Sequence, residues 1–342
     1  MMIWLPSSGD RDYLRAELQR EGCLPREEPG DLLSTHGLPP SGQLAFSRQC
    51  LPQAQAIQGA SIKAWANHLL EAMLTQLGDD NPWQLHLWAA YGGQGAGAHR
   101  CSLIAASLRD TLKKRRKRRL PLERLAPDAN AAIVQGLLLG PEHGLVSVAP
   151  LELFRQHPAL ISPWVDGWIE PAVDKSAPSR AFAKLSESLQ RLHLPIQAGQ
   201  RCVDLGAAPG SWTHVALTAG AWVTAVDRSE LRADLMANPR LEFVAADAFA
   251  FSPKAQVDWL LCDVIAEPAR SIALLLRWLQ QRWMRAFVLT VKFRGDEEYG
   301  LLDELKAKAA PLCSDLRVQR LCSNKNEVCI FGIPVLQSKP TC

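Results

Sequence analysis

Lys292 closes the run "AFVLTVKFR" (286–294), a strand-like series of apolar and β-branched residues that ends on an ammonium group. A lysine in that position ordinarily lays its stem on the core and keeps its head in water. The alternative is that the strand carries the amine to the rim of a sheet, where chemistry happens. Asp263 ends another apolar run, "VDWLLCD" (257–263). In a parallel sheet these two runs are neighbours, so amine and carboxylate share one edge. Glu327 starts "EVCIFGIP" and reaches the same edge if that last strand inserts beside the lysine strand. Lys184 sits on a helix starting near Ser179 and can supply a second cation there. Singly, each has a plain explanation: a helix-surface lysine, a hairpin glutamate, a capping aspartate. Together they are two amines and two carboxylates at four element boundaries, a set able to orient a hydroxyl and weaken its bond to hydrogen.

Further strand ends carry residues suited to a nucleoside. The first strand, "RCVDLG" (201–206), runs into "AAPGSW". Gly206 and Gly210 permit a tight turn and close backbone approach, Pro209 stiffens it, and the next helix offers free N–H groups to a carboxylate. The second strand, "WVTAVD" (222–227), ends at Asp227, where an acid can accept both ribose hydroxyls. Asp247 follows the third strand, "LEFVAAD" (241–247), and could accept an adenine amino hydrogen. There is no GxGxxG and no Walker lysine, which disfavours a dinucleotide or a triphosphate.

Short apolar strands alternating with helices imply an α/β fold over 179–336: a parallel, doubly wound sheet with a terminal antiparallel hairpin around "NKN" (324–326). The helices predicted here run to about 219, briefly after 227, over about 268–283, and over "GDEEYGLLDELKAKAA" (295–310). Residues 1–150 mix strand-like pieces (44–50, 84–91, 144–151) with helical spacing at 61–77 and 102–118, an α+β pattern. Between them, 151–178 is rich in Trp and Pro, with Pro158, Pro163, Pro171 and Pro178, and reads as a linker.

The 342 residues suffice for two domains, and 47% hydrophobic against 21% charged residues is a globular balance. No apolar run is long enough for a secretory signal or a membrane span. Nine scattered cysteines without a CxxC pair point to reduced thiols in a cytoplasmic protein, with no zinc site and no metal. The net charge of +3 hides a local concentration. Residues 1–150 hold 16 Lys and Arg against 14 Asp and Glu, and seven of those cations are consecutive: Lys113, Lys114, Arg115, Arg116, Lys117, Arg118 and Arg119. Such a run attracts a phosphate backbone, or is simply a solvated helix end.

The stretch Asp204–Trp212, "DLGAAPGSW", resembles the "DLGxxPGGW" signature of the FtsJ-type ribose 2′-O-methyltransferases, with Ser211 in place of the second glycine. Similarity to the branch acting on a cytidine of 23S ribosomal RNA is wider, taking in "FSRQ" (46–49), "APSRAFAKL" (177–185), "LLCDVI" (260–265) and "NEVCIF" (326–331). The resemblance implies a Rossmann-like methyltransferase sheet using S-adenosyl-L-methionine, and an N-terminal THUMP-like RNA-binding domain that would contain the basic run. It maps Lys184, Asp263, Lys292 and Glu327 onto the family's Lys-Asp-Lys-Glu catalytic tetrad. It also maps Asp204, Gly206, Ala208, Pro209, Gly210, Ser211, Trp212, Asp227, Asp247 and Asp263 onto the cofactor site. The implied partner is 23S ribosomal RNA before assembly, with no membrane. Two rivals stand beside it: a methyltransferase-shaped RNA-binding protein without turnover, and a methyltransferase for a non-RNA substrate.

Overall fold

The structure is a computed structural model; it describes the whole chain except residues 38, 41, 59–60, 93–94, 158, 172, 295–298 and 336–342. Two compact units divide it, Met1–Ile169 and Glu170–Cys342.

The first unit contains two four-stranded sheets. β1 (Met2–Pro6), α1 (Arg11–Arg20), β2 (Arg26–Glu28), β3 (Leu32–Thr35) and β4 (Ser47–Leu51) form an antiparallel sheet in the order β2-β3-β1-β4. Then follow β5 (Gln55–Ile57), α2 (Ile62–Gln76), β6 (Trp83–Ala89), α3 (Ala96–Arg115), β7 (Ala132–Leu138), β8 (Gly144–Ala149) and α4 (Leu151–Gln156). Their strands lie in the order β5-β8-β7-β6, with only β6 and β7 parallel. Ser61 caps α2 by accepting the Ala64 N–H, and the apolar faces of α2 and α3 close over this sheet through Trp65, Leu69, Ile104 and Leu108. The Trp- and Pro-rich stretch 151–178 is divided: α4 and residues up to Ile169 belong to the first unit. Gln49 holds this part, its amide donating to the Ser162 carbonyl at 2.9 Å and accepting the Ser162 N–H at 2.8 Å.

The second unit runs through α5 (Phe182–Leu192), β9 (Arg201–Leu205), α6 (Ser211–Thr218), β10 (Trp222–Asp227), α7 (Ala233–Met236), β11 (Leu241–Ala245) and β12 (Val257–Cys262). It continues with α8 (Pro268–Gln280), β13 (Met284–Lys292), α9 (Leu301–Ala309), β14 (Cys313–Gln319) and β15 (Glu327–Pro334). One sheet of order β11-β10-β9-β12-β13-β15-β14 results, parallel up to β13 and antiparallel for the terminal hairpin. β15 thus inserts between β13 and β14, which puts Glu327 directly opposite Lys292 in register. The predicted helix over 295–310 is shorter in the structure, starting at Leu301, and residues 295–298 lie outside the described ones.

Candidate active site

The polypeptide reverses between β9 and α6, and two glycines make that reversal possible. Gly206 has φ +72° and packs so closely on Val264 that a Cβ would sit 2.9 Å from the Val264 Cβ. Gly210 has φ +109°, and a Cβ there would come within 2.3 Å of Leu235 Cδ1. Both φ values favour glycine, and at Gly206 the Val264 backbone would also have to shift to admit a side chain. The turn opens a cavity of about 350 Å³ at the carboxyl ends of β9, β10 and β12. Asp204, Gly206, Ala208, Pro209, Ser211, Trp212, Asp227, Asp263 and Lys292 line it, as do Ser179, Ala181, Ala207, Val264 and Ile265. A larger cavity of about 850 Å³ lies toward the opposite ends of the strands. The smaller one, unlike the larger, collects Asp204, Asp227, Asp263 and Lys292, which makes it the candidate site.

The sequence-derived set divides inside this arrangement. Asp227 is fixed by backbone donors, the Ala208 N–H at 3.0 Å and the Ser229 N–H at 2.9 Å, and its remaining lone pairs are free for a diol. Asp204 is 1% exposed and accepts the Thr213 hydroxyl at 2.6 Å. Burial pushes its carboxyl up to about 7, helped by the nearby Asp263 and Asp227 and opposed by Thr213. Ser211 hydrogen-bonds the Ser179 hydroxyl at 2.7 Å, and the Trp212 indole donates to the Ala181 carbonyl at 2.9 Å. These two residues therefore stitch the approach to α5 onto α6. Gly210 shapes the turn from outside the cavity. Asp247 also stands outside the lining: it accepts the Phe249 N–H at 2.9 Å and the Arg228 guanidinium at 2.8 Å, which hold it below the usual carboxylate range.

The two amines and two carboxylates meet. Lys184, on the buried face of α5, lies 2.7 Å from an Asp263 oxygen and 3.2 Å from Glu327, with only 8% of its side chain exposed. Burial pushes its ammonium toward neutrality, but Asp263 and Glu327 outweigh burial and leave its pKa raised. Lys292 donates to the Asp263 carbonyl at 2.8 Å and lies 3.1 Å from its carboxylate. Only Lys292 and Asp263 of the four line the cavity; Lys184 and Glu327 stand behind them. Thr290, two residues before Lys292 and hence on the same face of β13, donates to Asp263 at 2.5 Å. A polar residue at that spacing in a buried strand was the sequence signal for it.

Two further residues hold the constellation without entering it. Glu187, one turn after Lys184, is 3% exposed; it accepts from Arg191 at 2.7 Å and from the Cys322 N–H at 3.0 Å, so α5 grips the segment leading to β15. Asn326 donates to the Phe293 carbonyl at 2.8 Å and accepts from the Tyr299 hydroxyl at 2.8 Å, clamping β13 to β15 beside the Lys292–Glu327 pair.

In the first unit, the basic run occupies the last turn of α3 and a 3₁₀ turn over Lys117–Leu122. Lys113 to Arg118 are exposed, but Arg119 is not. Its guanidinium is buried, donating to the Leu77 carbonyl at 2.8 Å and to Asp79 at 2.9 Å. The expectation that all seven cations face RNA is corrected at this residue: its charge ties the 3₁₀ turn to the end of α2.

Comparison with known proteins places the chain in a family. Residues 177–293 match the FtsJ-like methyltransferases. A protein of Halorhodospira halophila named ribosomal RNA large subunit methyltransferase M is 31% identical over 289 residues, covering 82% of this chain and 76% of its own. A protein of the same name from Xanthomonas campestris is 28% identical, covering 85% and 82%. One from Thauera aminoaromatica is 33% identical, and there the match spans 51% of each. Asp204, Asp227, Asp263, Lys184 and Lys292 fall inside residues 177–293 and Glu327 lies beyond them; by the identity and coverage of the Halorhodospira halophila relative, the chain belongs to the ribosomal RNA large subunit methyltransferase M family.

Proposed function

We propose that this enzyme transfers a methyl group from S-adenosyl-L-methionine to a ribose 2′-hydroxyl of RNA, a cytidine of 23S ribosomal RNA in the cytoplasm. The observation that carries the reading is the cluster itself: Lys292 held against Asp263 at the mouth of a nucleoside-sized cavity, with Lys184 bridging Asp263 and Glu327 behind it. The lining fits the cofactor. Asp227 has free acceptor capacity for ribose hydroxyls, and the approach to α6 presents N–H groups toward a carboxylate. When bound, the sulfonium supplies an activated methyl group.

The chain's own task is to present the oxygen. A sugar hydroxyl is a poor nucleophile at neutral pH, so its alignment with the sulfonium methyl carries the burden; its proton leaves to water as the C–O bond forms and the C–S bond breaks. Good alignment contributes roughly 7 kcal/mol or more. Lys292 is the amine at the cavity and orients that hydroxyl. Asp263 fixes Lys292 through both its carbonyl and its carboxylate. Lys184 neutralises Asp263 and Glu327, so neither carboxylate is left buried and unpaired beside the reacting oxygen. The six exposed cations of the basic run would hold RNA phosphates from an N-terminal THUMP-like domain.

The test is transfer of label from S-adenosyl-L-methionine to deproteinised 23S ribosomal RNA, with alkali-resistant positions mapped. A single new 2′-O-methylated cytidine is the expected product. Label on a base, on protein or nowhere defeats the reading.

A further inference from the structure

In a doubly wound sheet each crossover usually carries a helix that covers one face. The crossover from β11 to β12, residues 246–256, carries none. Register shows which face this leaves open. Val203, Thr224 and Glu242 are neighbours across β9, β10 and β11, as are Arg201 and Trp222 one pleat earlier. The other face of these strands, Cys202, Val223 and Ala225, is packed with the side chains of α6. The uncovered face forms the cavity of about 850 Å³, walled by the segment 251–255 and by Pro239 and Arg240. That volume is in the range of ligand sites, and the cavity lies wholly within the second unit.

Its chemistry is particular. Trp222 is 53% exposed, an indole left in water at the mouth of a groove. Arg201, Arg240 and Lys254 are exposed around it, against the carboxylate of Glu242 in the lining and that of Asp258 beside it, which accepts the Arg201 N–H at 2.8 Å. An exposed aromatic face among cations is the pairing that single-stranded nucleic acid uses, bases stacking and phosphates pairing with the charges. Trp222 starts β10 and Asp227 ends it, so the groove lies roughly 17 Å along the strand from the cofactor end. An RNA strand contacting both would bridge that length with several nucleotides.

We propose that this groove is a second RNA-contact site, seating unpaired nucleotides that flank the methylated one, with Trp222 as stacking platform and Arg201, Arg240 and Lys254 as phosphate contacts. The inference rests on RNA being the substrate. The experiment uses the full chain and deproteinised 23S ribosomal RNA. Trp222→Ala raises KM for RNA by roughly 5- to 100-fold, with kcat and cofactor affinity unchanged, and Trp222→Phe restores most of it. Arg240→Gln with Lys254→Gln flattens the slope of log affinity against log salt by about 1.4. Wild-type KM and salt slope in both variants, in an enzyme that methylates RNA, overturn the groove alone. If Trp222→Ala changes only the oligomeric state, the groove seats a second copy and the proposal is wrong. If the unaltered enzyme neither binds nor methylates RNA, the substrate reading falls with it.

Discussion

Replacing Glu187 with alanine separates positioning from chemistry. Its carboxylate is buried, touches neither the cavity nor the four charged residues, and holds Arg191 and the Cys322 N–H together. The pair is almost wholly withdrawn from water, with 3% and 6% of the two side chains exposed. Removing one partner of such a pair takes from the buried guanidinium the carboxylate that offsets its desolvation, and costs about 3–5 kcal/mol. For a unit of this size, where 1 kcal/mol shifts Tm by about 2–4 °C, the melting temperature falls by roughly 6–20 °C. The released segment leads to Glu327, and Lys184 lies one turn earlier on the same helix. Both ends of the Lys184–Glu327 bridge therefore loosen. A displacement near 1 Å at the reacting groups costs about 10² in rate, so kcat falls by that order below the new Tm. Cofactor affinity holds, because Asp227 and the turn at Gly206 are fixed by other contacts. Glu187→Gln keeps the shape and an acceptor oxygen, and shows a smaller loss of both. Calorimetry with single-turnover methyl transfer measures each. A lowered Tm with unchanged kcat would refute the positioning argument, and an unchanged Tm the burial argument behind it.

Asp204 makes stability depend on pH. Its folded pKa, near 7, lies above the unfolded value of about 4, so between those pH values the folded state keeps a proton that the unfolded chain has lost. Its contribution is complete below about pH 4 and is lost as pH rises toward 7; Asp204→Asn removes that slope in urea titrations, whereas an identical slope would locate the titration elsewhere. In the basic run, Lys113→Ala with Lys114→Ala and Arg116→Ala lowers RNA affinity and its salt dependence without moving Tm. Arg119→Ala does the reverse, lowering Tm by several degrees because its buried bonds to Leu77 and Asp79 are lost; a phosphate contact at Arg119 would instead appear as a reduced salt slope.

The second unit was legible because most of its strands are short apolar runs ending at or near an acid and most of its crossovers carry periodic helices. The edge position of Lys292 follows from one strand pattern, and the register opposite Glu327 from the tight hairpin after it. The first unit was less legible for physical reasons. β1 is buried along its whole length and so lacks alternation, β2 is three charged or polar residues, and β7 is a continuous buried run that periodicity cannot distinguish from a helix. Arg119 looked like its six neighbours, since burial of a cation depends on a carbonyl and a carboxylate some forty residues earlier. Likewise, the direction of the Asp247 carboxylate depends on Arg228 and the Phe249 backbone, which strand-end placement alone does not reveal.

The measurement that bears most directly on the mechanism is single-turnover methyl transfer by Lys292→Ala under saturating cofactor and deproteinised 23S ribosomal RNA. The cavity-facing amine orients the nucleophile, so the rate should drop by at least about 10² while the cofactor dissociation constant stays at its wild-type value. Methyl transfer at the wild-type rate would show that the reacting oxygen is governed by some other group.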